Sequence, residues 1–148
     1  MKYKVKLDSR LRGNDGLGEI FSNKPCPCES GKTYNTCCKP AHKGSTALTA
    51  EALMRSRYTA YVLGLEGYLL KTWYPDMRPT ALNLSDDIQT KWLGLQVKRA
   101  ENTSETTAIV EFVARYKIGG KAELLHEVSQ FVRVEGCWYY LAGSESKP

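Results

Sequence analysis

The chain has 148 residues, 42% hydrophobic and 25% charged, enough for one domain with a real core and a small appendage. Its net charge of +5 is uneven: residues 1–24 hold six basic and three acidic groups, residues 25–44 three and one, and residues 45–148 twelve of each. No apolar run approaches the ~18 residues of a membrane span and no apolar signal segment follows the opening lysines, so a cytoplasmic protein is expected. Phosphate loops, dinucleotide glycine fingerprints, nucleophile elbows and metalloprotease His-Glu-x-x-His patterns are missing, which leaves an enzyme only through an unrecognised pocket.

Residues 1–23 have glycines at 13, 16 and 18, scattered charge and no periodicity, and read as a disordered leader. Residues 24–46 carry the densest chemistry. Cys26-Pro27-Cys28 precedes Cys37-Cys38, with a turn at Glu29-Ser30-Gly31-Lys32 and one short helical turn at residues 33–36 between them. Two close pairs of thiols suit the tetrahedral demand of zinc, and Pro27 fixes one backbone angle between the first two sulfurs. His42 competes for the fourth ligand place. Disulfides could use the same thiols, but a reducing cytoplasm disfavours them. A site with protein ligands only is closed, hence structural. Lys32, Lys39 and Lys43 give the module a basic flank, suited to an acidic protein face or, less readily, to nucleic acid; solvated surface is the ordinary meaning of three lysines.

The run Cys26-Pro27-Cys28-x-Ser30-Gly31-Lys32-x-Tyr34-x-x-Cys37-Cys38 resembles the SEC-C motif, a small zinc module found at the C-terminus of the SecA translocation motor and on other bacterial proteins. The resemblance implies Cys26, Cys28, Cys37 and Cys38 as ligands, with His42 the alternative to Cys38, and Zn2+ as the cofactor. Glu29 departs from it, standing where the motif usually has glycine; a positive φ there would carry a cost.

A helix is expected from Thr49, which can cap it, with Glu51 in its first turn and Ala50, Leu53, Met54, Tyr58, Tyr61, Val62 and Leu65 on one apolar face. Gly64 and Gly67 loosen the run before a second short helix through Tyr68, Leu69, Leu70 and Trp73, ending ahead of Pro75. Residues 76–79 read as a turn. Ser85, Asp86 and Asp87 mark another helix start, with Ile88, Trp92 and Leu93 on its buried side and Gly94 at its end.

Strands follow at residues 95–99, 107–117, 124–134 and 137–141. The second alternates Val110, Phe112, Ala114 and Tyr116 against Ile109, Glu111, Val113 and Arg115. Gly119-Gly120 and Glu135-Gly136 supply the hairpin turns. The fold class is therefore α+β: a cone-shaped, curved antiparallel sheet packed on helices and preceded by the zinc module. The domain division is leader 1–23, module 24–46, cone 47–143 and tail 144–148.

Residues 49–61, from Thr49-Ala50-Glu51 to Thr59-Ala60-Tyr61, and the later His126-Glu127-x-Ser129-x-Phe131 and Gly136-x-Trp138-Tyr139-Tyr140 resemble the YchJ family of bacterial proteins. The resemblance implies a middle domain of the nuclear transport factor 2-like, cystatin-like cone fold. Two departures are visible: the second SEC-C module common in that family is absent after the sheet, and Tyr74 stands where a histidine often follows the tryptophan. The family has no settled biochemical activity.

Cone folds often enclose a pocket and often pair through their sheets, so the resemblance also implies a candidate pocket and a homodimer. Pocket candidates are Arg55, Arg57, Tyr58, Trp73, Asp76, Arg78, His126 and Glu127, together with the other tyrosines. Strand alternation lets His126 or Glu127 point inward but hardly both. The bland readings are a hydrogen-bonded strand histidine, arginines bracing a helix and turn, and an inert core thiol at Cys137. The function expected is a zinc-binding adaptor that presents its module to a protein partner. Its alternatives are an enzyme or small-ligand binder working from the cone, and a nucleic-acid binder working through the lysines.

Overall fold

The computed structural model describes residues 22–145 except residue 88. The expected leader falls outside the described residues up to residue 21, as do Ile88 and the tail from residue 146. Ser22 belongs to the module rather than to a leader: its carbonyl accepts the Asn35 amide at 2.9 Å and its hydroxyl accepts Lys39 Nζ at 3.0 Å. A bridge between Pro25 and Thr33 closes a small loop, and the Cys26 amide donates to the Lys32 carbonyl at 2.9 Å. A 3-10 turn over Tyr34–Thr36 and the four-residue helix α1 (Lys39–His42) follow. Pro40 sits in the first turn of α1, where a missing amide hydrogen costs nothing.

Helix α2 (Ala50–Leu63) starts as its sequence dictates. Thr49 Oγ1 accepts the Ala52 amide at 3.0 Å, and Gly64, at φ 74°, closes the far end in the left-handed conformation that glycine adopts without penalty. Of the expected apolar face Ala50, Leu53, Met54 and Tyr58 are buried, Tyr61 and Val62 are half-buried and half-buried Leu65 lies beyond the helix, while Ser56, Arg57 and Thr59 are buried too. These last three are polar because a second side of α2 is covered by groups that need hydrogen-bond partners. Helix α3 (Glu66–Lys71) leads to two 3-10 turns, Pro75–Met77 and Leu84–Asp86. The Glu66 carboxylate pins the second loop by accepting the amides of Leu82 at 3.0 Å and Leu84 at 2.8 Å.

Four antiparallel strands, β1 (Thr90–Asn102), β2 (Thr107–Ile118), β3 (Lys121–Val134) and β4 (Cys137–Glu145), form a meander in the order β1-β2-β3-β4. Ala108, Val110, Phe112 and Ala114 alternate into the core, and pairing puts Phe131, Ser129, Glu127 and Leu125 of β3 on the same face. Bulges in β1 at Trp92/Gly94 and Val97/Arg99, and between Gln130 and Phe131, curve the sheet around α2. Both hairpin turns have two successive positive φ values, 58° and 83° at Gly119-Gly120 and 51° and 80° at Glu135-Gly136, matching strand twist.

The helix expected after Ser85 is not formed. Asp87 instead accepts the amides of Gln89 (3.3 Å) and Thr90 (3.1 Å), turning the chain directly into β1, which therefore begins five residues earlier than expected. Trp92 packs across Tyr58, Tyr61 and Tyr116. Gly94 is no helix cap: a Cβ there would overlap the side chains of Arg115 and Glu29.

Candidate metal centre and the interior of the cone

The loop, the 3-10 turn and the start of α1 bring Cys26, Cys28, Cys37 and Cys38 together, with their sulfurs all within 4.8 Å of one another. Four sulfurs at ~2.3 Å from a common ion stand about 3.8 Å apart. Cys28 Sγ lies 3.5 Å from Cys37 Sγ, which lies 3.9 Å from Cys38 Sγ, so the donor set fits one tetrahedral ion with small adjustments. All four thiols are free. Three of them are buried, leaving only Cys37 partly open.

Their surroundings favour negative charge. Ser30 Oγ is 3.1 Å from Cys37 Sγ, and Thr59 Oγ1 of α2 is 3.7 Å from Cys26 Sγ. Arg55 reaches over from α2, donating to the Cys28 carbonyl at 2.7 Å and pairing with Glu51 at 3.0 Å. Hydrogen bonds from the Cys26 and Cys38 thiols, then those of Ser30 and Cys37, pull the Cys28 thiol far below its ordinary value against the effect of burial. The reciprocal bond to Cys28 raises Cys26 to about 11, and bonds to Cys26 and Cys28 together with burial raise Cys38. The cluster thus stores protons that a cation would displace, the usual accompaniment of thiolate ligation.

His42 is placed elsewhere. Its Nε2 is 2.8 Å from the Ser56 carbonyl, an acceptor only, so that nitrogen carries the hydrogen; Nδ1 then accepts from the Tyr34 hydroxyl at 2.8 Å. Burial lowers its pKa, consistent with a neutral ring whose lone pair is spent on tyrosine. His42 also meets Tyr68 edge-on at 4.7 Å, and Tyr68 bonds Ser56 Oγ at 2.7 Å. The residue is a post between α1 and α2. On the other flank, Glu29 holds the module to the sheet: Oε2 accepts the Leu95 amide at 3.1 Å and faces Arg115 Nη2 at 3.7 Å. Its backbone does have the positive φ, 61°, that its sequence position implied.

The pocket candidates are scattered over five places. Arg55 braces the module. Arg78 is exposed, bonded to the carbonyls of Trp73 (2.8 Å) and Lys71 (3.4 Å), beside exposed Asp76. Tyr58 is buried near the Gly94 backbone at the β1 end. His126 lies on the outer face of the sheet, 2.7 Å from Glu111, whose pKa is lowered by that contact and by Arg99. Arg57, Trp73 and Glu127 remain inside. Arg57 Nη1 donates to the Leu69 carbonyl at 2.7 Å and Thr72 Oγ1 at 2.6 Å, and its guanidinium lies 4.5 Å from the Tyr140 ring centre and 5.1 Å from that of Trp73. Backbone bonds from Tyr74 to Tyr140 and from Tyr140 to Thr72, both 2.8 Å, fasten this corner to β4.

Tyr61 and Tyr140, from among the candidate tyrosines, join the interior, as do Ser129 and Gly143, which the sequence did not mark as pocket residues. Ser129 Oγ donates to Glu127 at 2.8 Å, and Tyr140, raised to about 12 by burial and then by the Glu127 charge, shares that carboxylate. A side chain at 143 would overlap Glu127 and Tyr140. Glycine inside a strand is the one local signal that could have marked this close approach.

Comparison with known proteins supports both halves of this picture. The family model described as YchJ, middle NTF2-like domain, matches residues 49–143. A UPF0225 protein from Chromobacterium violaceum is 55% identical over 122 residues, spanning 80% of this chain and 90% of the relative. One from Ralstonia nicotianae is 50% identical over 129 residues, spanning 80% and 89%. The solution structure of a SEC-C motif containing protein from Rhodopseudomonas palustris superposes with a TM-score of 0.75 at 35% identity, covering 82% of this chain and 98% of that one. A crystal structure of a SEC-C motif containing protein from Psychrobacter arcticus gives 0.71 at 31% identity, covering 87% and 86%.

Proposed function

The chain belongs to the UPF0225 family with its YchJ-type middle domain, and from that premise we propose that its four clustered cysteines hold one structural zinc ion and that the module so fixed is a docking surface for another protein. The observation that carries the reading is the convergence of Cys26, Cys28, Cys37 and Cys38 within 4.8 Å. Four thiolates with no open position suit zinc in a structural role. They would give the ion and its ligands a net charge of about −2, which the Ser30 and Thr59 hydroxyls and Arg55 offset.

Such a site needs reduced thiols, so the reading places the protein in the cytoplasm; no described helix is long and apolar enough to cross a membrane. Support for a protein contact comes from the outer side of the module. Lys32 and Lys43 are exposed there, and Leu48, on the link to α2, is 88% exposed, an apolar residue with nothing to cover it among the described residues.

Elemental analysis of the purified protein should find one zinc per chain, lost in a Cys37→Ser, Cys38→Ser double variant. Another metal, or zinc content indifferent to the substitutions, would refute the metal half. Affinity capture with the intact protein should retain a partner that the double variant and a Leu48→Asp variant both lose. Identical captured sets would refute the docking half.

A further inference from the structure

Arg57 is a cation 94% removed from solvent by its 6% exposure, yet no carboxylate lies within ion-pair distance of it among the described residues. Its Nη1 is committed to Leu69 and Thr72, and no described protein acceptor takes the hydrogens of Nε and Nη2. Those atoms are not sealed: the one fully buried side-chain nitrogen or oxygen without a hydrogen-bond partner among the described residues is the neighbouring Trp73 Nε1, whose ring meets Tyr140 edge-on at 4.9 Å. An edge-on ring is a weak substitute for an acceptor. Buried donors, above all charged ones, normally have partners, so this corner has an excess of donors.

Its acid is already engaged. Glu127 takes Ser129 Oγ at 2.8 Å and the Tyr140 hydroxyl, and it influences Tyr61 and Arg57 only through space. Tyr140 touches both charged groups: its ring lies against the guanidinium at 4.5 Å and its hydroxyl faces Glu127. The pair leaves the interior close to neutral. One added negative charge on the free edge of Arg57 leaves the interior with a single excess negative charge, whereas a dianion would leave two beside Glu127, so the singly charged ligand is the one favoured. The planar fork of Nε and Nη2 matches two oxygens of a carboxylate.

We propose that the free edge of Arg57, beside the contacting Trp73 and Tyr140 rings inside the cone, is a binding site for a small monocarboxylate. Glu127 is the residue that limits affinity, because its charge opposes the ligand's. The site is distinct from the cysteine cluster and does not depend on which metal that cluster holds.

The test uses the full chain, enriched in 15N, with acetate as the probe and sodium chloride and inorganic phosphate as matched controls at constant ionic strength. The Trp73 indole N–H signal, assigned against a Trp73→Phe variant, should shift saturably with acetate and not with either control. Arg57→Lys, which keeps the charge and loses the fork, should weaken the response at least tenfold. Glu127→Gln should instead tighten it several-fold, and this variant carries the test should Arg57→Lys fail to fold. The proposal is overturned if acetate leaves Trp73 unmoved in both the parent and Glu127→Gln, if Arg57→Lys responds like the parent, or if phosphate shifts the signal as strongly as acetate.

Discussion

Glu29 holds a left-handed backbone at φ 61°, a conformation that costs a residue with a side chain about 1 kcal/mol relative to glycine. Its carboxylate accepts the Leu95 amide at 3.1 Å and faces Arg115, across the space left by Gly94. The two effects oppose each other and can be separated with two substitutions. Glu29→Ala keeps the backbone cost and loses the latch, so urea denaturation should show a loss of about 1–2 kcal/mol. Glu29→Gly also loses the latch but relieves the backbone, and should be the more stable of the two variants by about 1 kcal/mol. If alanine is as stable as glycine, the left-handed conformation is not maintained in solution. If both match the parent, the latch contributes nothing. This residue was visible in the sequence as a departure from the motif, but its compensation was not, because the partner lies 66 residues along the chain.

The elements themselves were legible where their signals are local. Thr49 and Gly64 bound α2, the Gly119-Gly120 and Glu135-Gly136 dipeptides turn the hairpins, and the thiol spacing predicts the cluster. The misread element, the helix expected after Ser85, failed because an aspartate before an apolar run serves equally as a helix cap or as the pivot of a turn; bonds from Gln89 and Thr90 to Asp87 select the turn. The polar side of α2 was equally hidden, since Thr59 is explained by Cys26, the Ser56 hydroxyl by Tyr68 and Arg57 by Thr72, none of which follows from periodicity. The same kind of distant partner ties α3 to the loop before β1. Amides of Leu84, Leu82 and Asn83 lower the Glu66 pKa, so the carboxylate's contribution is present above the unfolded value near 4.3 and is lost as pH falls through the folded value. Discounted for solvent screening, the bonds from Leu82 and Leu84 are together worth about 1 kcal/mol. Glu66→Gln should be less stable than the parent by that amount at pH 7, and the two denaturation curves should converge below about pH 4. A difference that persists unchanged into acid would assign the effect to packing instead.

At the scale of the whole molecule, the module and the cone share a core. Cys26, Cys28, Tyr34 and Cys38 are buried in one cluster with Leu53, Met54 and Tyr58 of α2 and with Leu95, Val110 and Phe131 of the sheet. Three polar ties cross the same boundary: His42 to Ser56, Arg55 to the Cys28 carbonyl and Glu29 to the Leu95 amide. The stabilities of the two parts still have different sources. The sheet has three continuous antiparallel ladders and its own apolar inner face, whereas the module has one isolated bridge, two short turns of helix and its cysteines. With an ion held as proposed, a module of that kind draws its folding free energy from the metal. Stripping the ion with a chelator should therefore abolish amide-exchange protection over residues 25–44 and lower it on the side of α2 that carries Ser56 and Thr59. Protection at residues 110–114 and 125–131, in the middle of the sheet, should persist within about tenfold because that core stays covered by α2 and α3. Loss of the sheet's protection in step with the module would mean that the shared cluster makes the chain one cooperative unit. Full protection of the module after the metal is removed would mean that its contacts with α2 and β1 suffice to hold it, and that the cysteines are there for chemistry rather than for folding.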